Sequence, residues 1–497
     1  MLIISIFFIL TAVALPSVQA TPSIHIRTTS LIFLISLFLV VNSFHWNYFV
    51  NGISLYNGLT NLTGIAIIGQ ALFLGIGSLA LIPWAPLKTN GFSSFPRIST
   101  YSLFAIMTSL GACILVSCGD IITFYLALEL QSFSVYILAA LYRDSESATH
   151  AGLLYFLLGG LSSSFILLGF ALIYSETGMT QIDNIMNLMN VSNEMSSISW
   201  SIYLGFISVA TGILFKITAA PFHNWGPDVY DGVPTIVTTW LAVMPKISLI
   251  LLFLIISIDL NESIKLITSN FSSSVWSTLL LVSSILSLLI GTIVGLVQSR
   301  IKRLLAYSTI SHIGFILMSM SISNIEGGSA TIFYLMQYSV TALLSFSSVL
   351  AMGYITQSSE KSSDLNWIKD LTNIVTTNPG VSTCLATALF SMAGVPPLLG
   401  FYGKQSVLYA AINSGLYFVS FVAVVTSVIS ASYYLYLVRV SYFDNSNNSN
   451  QNSMKVGNIT SVHSYTLSLL TLMIISFMAS PNLILDSCRL VTIYLYQ

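Results

Sequence analysis

Four ionisable side chains interrupt long apolar segments of this sequence. They are one acid, Glu129, and three lysines, Lys216, Lys246 and Lys404, each in a different segment. A charge at the centre of a bilayer costs at least about 2.5–3.5 kcal/mol, so each of these groups needs a partner or a water-filled path. A buried lysine releases its proton readily, whereas a neighbouring carboxylate favours the protonated form. One acid and three lysines in separate segments are therefore typical of a proton relay.

The same residues also have a purely structural interpretation, in which static ion pairs tie helices together. A single acid pairs with one lysine, so this interpretation leaves two of the three lysines unexplained. A structural scaffold of that kind would keep its transport activity when the buried charges are replaced. The relay accounts for all four groups.

Two histidines extend this set. His312 is an intramembrane imidazole, and imidazole titrates near neutral pH. It follows Glu129 by 183 positions, close to where an internal repeat would place the counterpart of that acid. A hydrogen-bonded packing histidine is the alternative. His223 precedes Asp228 and Asp231 in what we expect to be a polar loop, with proton access as the second interpretation.

The rest of the chain is overwhelmingly apolar. Hydrophobic residues make up 55% of the sequence and charged residues 7%, whereas soluble domains carry about 25% charged residues. Apolar segments recur along all 497 residues, which excludes a soluble protein. A net charge of −1 with scattered basic residues argues against a nucleic-acid partner. The four cysteines form no CxxC pair, so no metal or iron–sulfur site is predicted.

The apolar segments predict an all-α polytopic membrane protein, because backbone groups in lipid must be satisfied within each segment. At about 20 residues per crossing, they give about fourteen transmembrane helices, at 2–18, 30–45, 63–85, 101–119, 121–141, 153–174, 201–222, 233–258, 276–297, 304–322, 330–354, 380–411, 414–438 and 464–480. We expect helices 7 and 12 to be broken, since Pro221 and the pair Pro396-Pro397 remove helix hydrogen bonds. Pro245 predicts a simple packing kink.

A weak internal repeat divides the chain. Ser147-Ala148-Thr149 and Ser329-Ala330-Thr331 open corresponding helices 182 positions apart, with chance similarity as the alternative. An odd number of helices per repeat gives the two repeats opposite orientations, as in many transporters. We therefore divide one membrane domain, 1–497, into helices 1–3 in 1–100, a first five-helix repeat in 101–258, a second in 276–438 and a last helix in 464–480.

The basic residues predict the orientation. The odd-numbered loops hold eleven of the sixteen Lys and Arg residues, whereas the even-numbered loops and the termini hold two, Lys265 and Arg489. Loops rich in Lys and Arg stay on the cytoplasmic or matrix side. Both termini are therefore expected on the opposite side.

Three long motifs resemble the antiporter-like subunits of respiratory complex I, the NADH:ubiquinone oxidoreductase. They are Phe215–Thr235 followed by Pro245-Lys246, Lys302–Gly314, and Ala393–Lys404. The resemblance covers about 101–438. Within that family the chain resembles the subunit 2 branch, because Lys404 stands where the subunit 4 relative has an acid. Its length and the polar segment 444–453 resemble a fungal mitochondrial member.

The resemblance implies a proton-translocating subunit of the membrane arm, multi-pass in the mitochondrial inner membrane, with both termini in the intermembrane space. It implies no cofactor in this chain; NADH, FMN, iron–sulfur clusters and ubiquinone would be bound by partner subunits. The expected partners are lipids and other membrane-arm subunits, including the subunit 4 and subunit 4L relatives.

The resemblance also implies roles for the buried charges. Glu129 would pair with Lys216, Lys246 would link towards the centre, and Lys404 would end the path near the next antiporter-like subunit. A cation/proton antiporter subunit shares the inverted repeat and the buried lysines, and is the alternative. The proteins that copurify in mild detergent distinguish the two.

Overall fold

The structure, a computed structural model, describes residues 1–15, 22–43, 52–84, 99–192, 200–265, 272–322, 324–355, 364–372, 374–444 and 461–495. Its helices are α1 (Leu2–Ala14), α2 (Pro22–Ser43), α3 (Gly64–Leu81), α4 (Tyr101–Val116), α5 (Ile121–Ala140), α6 (Glu146–Thr177), α7 (Ile182–Ser192), α8 (Trp200–Ile217), α9 (Trp225–Gly232), α10 (Thr235–Lys265), α11 (Ser272–Val297), α12 (Ile301–Met320), α13 (Ile325–Ile355), α14 (Ile374–Thr377), α15 (Pro379–Ala393), α16 (Leu399–Asn413), α17 (Tyr417–Tyr442), α18 (Ser461–Ser476) and α19 (Pro481–Leu495). Short 3-10 helices occur at Ile82–Trp84, Ile368–Leu371 and Phe477–Ala479.

The fold is mostly helical, as predicted. Ten of the described helices are long and apolar enough to cross a membrane, by length and composition. The helices α1, α4 and α15 are apolar but shorter. Each predicted crossing contains a described helix, although α2 and α6 begin several residues earlier than expected, at Pro22 and Glu146.

One short hairpin lies between the predicted second and third crossings. Strand β1 (Ile53–Leu55) pairs antiparallel with β2 (Thr60–Leu62). The turn between them contains Tyr56, Asn57 and Gly58, with φ of 55°, 58° and 86°. Glycine and asparagine tolerate this left-handed conformation, so the local sequence allows a tight reversal that apolar periodicity does not reveal.

Two crossings are interrupted where the sequence predicts breaks. Helix α8 ends before Thr218 (φ 67°), and α15 ends before Gly394 (φ 88°). In both, the amide after the left-handed residue reaches back five positions: Ala219 N–H donates to Leu214 O, and Val395 N–H donates to Phe390 O. This is the Schellman arrangement, which satisfies carbonyls at a helix end. Helix α10, in contrast, continues through Pro245.

Helices α10 and α13 lie at the centre of the protein. In each of them, 89% of the residues in the most apolar stretch are buried. The corresponding value for α6 is 33%. Glycines allow close backbone approach around this centre. A Cβ on Gly111 of α4 would lie 2.7 Å from the backbone nitrogen of Gln131 on α5, and a Cβ on Gly291 of α11 would lie 2.7 Å from that of Ser311 on α12.

Four helices differ from the sequence prediction. The segment that contains Asp228 and Asp231 was expected to be a loop but forms the short helix α9. Helices α7, α14 and α19 were not predicted. At 11, 4 and 15 residues, they are shorter than a crossing.

Candidate functional site

The buried acid and the first lysine face each other across α5 and α8. Glu129 Oε1 lies 3.7 Å from Lys216 Nζ, and their side chains are 13% and 8% exposed. This separation is an ion-pair contact but exceeds hydrogen-bond length. Ser132 Oγ donates to the other carboxylate oxygen of Glu129 at 3.4 Å. Lys216 lies two residues before the left-handed Thr218, so the helix break fixes its position.

The second lysine, Lys246 on α10, is 2% exposed and surrounded by hydroxyl groups and rings. Its Nζ donates to Thr309 Oγ1 at 3.1 Å and to Tyr338 Oη at 3.4 Å. The ring centroids of Tyr230 and Tyr338 lie 5.5 and 5.8 Å from the nitrogen. Among the described residues, no carboxylate lies within 4 Å of it. Neutral oxygens and ring faces therefore solvate this ammonium group.

His312 lies on α12 between two tyrosines. Its Nδ1 is hydrogen-bonded to Tyr334 Oη at 2.8 Å, and its Nε2 to Tyr434 Oη at 3.2 Å. The imidazole therefore joins α12 to α13 and α17. Thr309, the partner of Lys246, lies one turn before His312 on the same helix. The structure thus brings the second lysine and the histidine into one polar cluster.

The third lysine is held by a helix end. Lys404 on α16 is 7% exposed, and its Nζ donates to Ala393 O, in the last residue of α15, at 2.8 Å. The Phe315 ring centroid lies 5.7 Å from the nitrogen. The last carbonyls of a helix carry partial negative charge. The break between α15 and α16 therefore supplies Lys404 with its polar partner.

An ion pair with a buried lysine, which the sequence did not predict, lies at the side with the basic loops. Lys302 Nζ lies 2.7 Å from Asp364 Oδ2, and the lysine side chain is 2% exposed. Lys302 also donates to Val233 O at 2.9 Å. The carboxylate of Asp364 accepts from Thr235 N–H at 3.1 Å and from Thr235 Oγ1 at 2.9 Å. Asp364 therefore caps α10 from a distant part of the chain.

Two arginines complete this charged cluster. Arg300 forms an ion pair with Asp231, and Arg303 forms ion pairs with Asp228 and Asp231. These residues line a cavity of about 900 Å³, together with Glu146, His150, Lys302 and Asp364. The cluster anchors α9 to the start of α12.

His223, also predicted near this side, lies between α8 and α9. Its Nδ1 is 3.3 Å from Pro221 O. Burial lowers the pKa of this imidazole below its ordinary value, opposed by the contact with that carbonyl. His223 is therefore mostly neutral at neutral pH.

The hydroxyl partners of Lys246 and His312 were missed by sequence reasoning, but a signal existed. Tyr334 and Tyr338 are four residues apart, so they lie on one face of α13. Thr309 and His312 have the corresponding three-residue spacing on α12. Polar residues with helical spacing in an apolar helix indicate an interior polar path. Among the described residues, no group of three or more His, Cys, Asp or Glu side chains could hold a metal ion.

Comparison with known proteins assigns this chain to a family. Residues 118–430, well over half of the chain, match the NADH:quinone oxidoreductase/Mrp antiporter transmembrane family. The chain belongs to this family. All five sequence-predicted residues fall inside the matched stretch.

Relatives refine the placement within the NADH:quinone oxidoreductase/Mrp antiporter family. NADH-ubiquinone oxidoreductase chain 2 of Rhizopus oryzae is 40% identical over the full length of both chains. NADH-quinone oxidoreductase subunit N of Rhodospirillum rubrum is 35% identical over 78% of this chain and 76% of its own. The resemblance to the subunit 2 branch is therefore confirmed.

A solved relative agrees in fold. A chain of respiratory complex I from Thermus thermophilus has a TM-score of 0.76 and 24% identity, covering 98% of this chain and 99% of that one. The roles of the five residues within this family fold stay predictions.

Proposed function

We propose that this chain translocates protons as a membrane-arm subunit of mitochondrial NADH:ubiquinone oxidoreductase. The path is a relay of Glu129, Lys216, Lys246, His312 and Lys404, driven by electron transfer in other subunits. The environment of Lys246 carries the proposal: a lysine 2% exposed, held by two hydroxyl groups. A lysine without a counter-charge exists stably in either protonation state only where polar groups reach it, which suits transfer rather than structural pairing.

Static pairing explains less. Among the described residues, Lys216 has a carboxylate within 4 Å, whereas Lys246 and Lys404 have none. The two unpaired lysines add nothing to stability that an apolar residue of similar size would not supply. Their burial therefore favours a transport role.

Contacts between helices support two inverted five-helix repeats. Gly111 packs against the backbone of Gln131, and Gly291 packs against the backbone of Ser311 in the same way. The second glycine follows the first by 180 positions, and Ser311 follows Gln131 by the same number. The Schellman ends of α8 and α15 have the same hydrogen-bond pattern and lie 176 positions apart, four fewer than the glycine contacts. We therefore propose repeats at 101–258 and 276–438, helices 1–3 in 1–100 and a last crossing at 464–480 within a single domain. The count of fourteen crossings adds α1, α4, α12 and the broken α15–α16 unit to the ten long helices.

The same contacts refine the position of His312 in the repeat. A separation of 180 positions makes Thr309, rather than His312, the counterpart of Glu129. Glu129 lies next to Lys216, and Thr309 accepts a hydrogen bond from Lys246. In this arrangement Glu129 of the first repeat offers a carboxylate oxygen to Lys216, and Thr309 of the second repeat offers its hydroxyl oxygen to Lys246. His312 lies one helical turn after Thr309.

The orientation and the partners belong to the same proposal. With eleven basic residues in one set of loops, both termini lie in the intermembrane space. The neighbours are other membrane-arm subunits, including the subunit 4 and subunit 4L relatives, together with lipids. NADH, FMN, iron–sulfur clusters and ubiquinone are bound by partner subunits.

A cation/proton antiporter subunit is the second candidate, since the family description includes Mrp antiporters. The full-length identity of 40% to an NADH-ubiquinone oxidoreductase chain 2 favours the first candidate. Purification in mild detergent distinguishes them by the partners retained.

The test of the relay is Lys246→Met in the assembled enzyme. Methionine keeps an unbranched side chain but carries no proton, so we expect proton pumping and the NADH oxidation coupled to it to fall together. Both are measured in proteoliposomes and normalised to assembled enzyme. Lys369→Met, at an exposed lysine, is the control and keeps wild-type rates. Wild-type pumping by Lys246→Met contradicts the relay.

A further inference from the structure

The oxygens around Lys246 are arranged for a cation. Thr309 Oγ1 and Tyr338 Oη accept hydrogen bonds from its Nζ at 3.1 and 3.4 Å. The Thr309 hydroxyl donates its own hydrogen to Ala306 O at 2.8 Å. The Tyr338 hydroxyl likewise donates to Ala242 O at 2.9 Å. A hydroxyl has one hydrogen to donate, so both oxygens present lone pairs to the nitrogen. A charged ammonium group, which only donates, fits this arrangement.

An aromatic ring is fixed beside the same nitrogen. Tyr230 is 1% exposed, and its Oη donates to Leu241 O at 3.4 Å. Leu241 precedes Pro245 by four positions, and proline has no N–H, so this carbonyl lacks its usual partner within α10. The contact holds the Tyr230 ring with its centroid 5.5 Å from Lys246 Nζ. Ring faces attract cations most strongly where water is excluded.

The same surroundings suit an alkali cation poorly. Filters that select alkali cations surround the ion with carbonyl oxygens, which replace its water shell. Among the described residues, two oxygens are hydrogen-bonded to Lys246 Nζ, and the rings of Tyr230 and Tyr338 face it. Two oxygens do not replace the water shell of a sodium ion. A primary ammonium group is satisfied by hydroxyl acceptors and ring faces together.

We infer that Thr309, Tyr230 and Tyr338 form a binding site for a primary ammonium ion, and that this site makes the path selective for protons over sodium and potassium. Lys246 fills the site with its own side chain. A proton can leave the amine and return to it. An alkali cation would have to displace a tethered group of the same charge and exchange its water shell for two oxygens. The inference rests on the proposed function, because selectivity requires that ions move along this path.

The test removes the tethered ammonium group and supplies a free one. Lys246→Ala deletes the part of the side chain that corresponds to a propylammonium ion. Thermal unfolding of the assembled enzyme is measured with propylammonium chloride, and with sodium, potassium and tetramethylammonium chloride at equal ionic strength. A ligand that binds the folded state raises the unfolding temperature in a saturable way. We expect this for propylammonium alone, because tetramethylammonium has no N–H to donate. An equal effect of sodium or potassium, or no effect of propylammonium, overturns the inference.

Matched variants show where the propylammonium ion binds. Lys246→Met fills the same space with an apolar side chain, and Lys369→Ala removes an exposed lysine, so neither should respond to propylammonium. Thr309→Val, added to Lys246→Ala, keeps the shape of the side chain and removes one acceptor. The half-saturating concentration should then rise about tenfold, as expected for one hydrogen bond to a charged group. An unchanged concentration places the ion elsewhere and overturns the inference.

Assembly gives the same test if Lys246→Ala is too unstable to isolate. Propylammonium present during mitochondrial synthesis should then restore the assembled enzyme, and sodium should not. The absence of any restoration overturns the inference.

Pumping by Lys246→Met separates this inference from the proposed function. If Lys246→Met does not pump and Lys246→Ala does not respond to propylammonium, only the ammonium site is wrong. If Lys246→Met pumps normally, the relay fails and the selectivity inference fails with it.

Discussion

The separation of Glu129 and Lys216 gives a quantitative prediction. At 3.7 Å, and with an effective dielectric constant of about 20, the two charges attract by about 4–5 kcal/mol. Both side chains are mostly buried, at 13% and 8% exposure, so solvent screens little of this attraction. Glu129→Gln removes it while keeping the shape of the side chain. The protonated state of Lys216 then loses its main stabilisation.

We expect Glu129→Gln to slow the relay and not to stop assembly. The remaining lysine can adopt its neutral form, which avoids an uncompensated buried charge. Pumping and coupled NADH oxidation should fall together in proteoliposomes, normalised to assembled enzyme. Glu326→Gln is the matched control, since Glu326 accepts a hydrogen bond from Asn413 at the protein surface and not from a buried lysine.

The double variant tests the pair itself. Lys216→Met leaves Glu129 without its cation, whereas Glu129→Gln with Lys216→Met leaves no charge at all. The double variant should therefore assemble better than Lys216→Met alone, with a coupling free energy of about 1–3 kcal/mol in thermal stability. Additive effects would show that the two charges do not interact. Wild-type rate and pumping stoichiometry in Glu129→Gln would remove the pair from the mechanism.

Two further predictions concern the side with the basic loops. Asp364→Asn should destabilise the assembled enzyme by about 1–3 kcal/mol, because Lys302, 2% exposed, loses a carboxylate that is itself 20% exposed. Thermal unfolding is compared with Asp444→Asn, whose partner Arg439 is 72% exposed. Equal melting temperatures would contradict this role. Protease added to mitoplasts should cleave the tail after residue 481 but not the segment 300–303, and cleavage of the tail from the matrix side alone would reverse the proposed orientation.

The sequence alone predicts those features of the fold that depend on the chemistry of a single residue type. A carboxylate in an apolar helix needs a cation, so the cost of burying charge predicts that Glu129 lies beside one of the buried lysines. The resemblance to the family singled out Lys216, which lies 3.7 Å away. The helix interruptions near Thr218 and Gly394 follow similarly from proline chemistry. Both predictions depend on local sequence and on one strong physical constraint.

Other features depend on contacts between distant parts of the chain. Lys302 was grouped with the loop residues that set orientation, yet it is buried against Asp364, 62 positions later. Gln131 donates to Ser248, 117 positions later, and no local pattern in the sequence pairs these two residues.

The central position of α10 and α13 has a consequence for how the protein is made. Each is enclosed over most of its length by other helices of the same chain. Helices that precede α10 in the sequence, such as α3 and α4, cover one side of it, and α12 and α13 cover the other. During synthesis, α10 therefore enters the membrane before the helices that follow it in the chain, including α12 and α13, have been made. Until α12 and α13 are inserted, the ammonium group of Lys246 lacks its Thr309 and Tyr338 partners, so this stage of membrane insertion leaves a buried charge without its polar contacts.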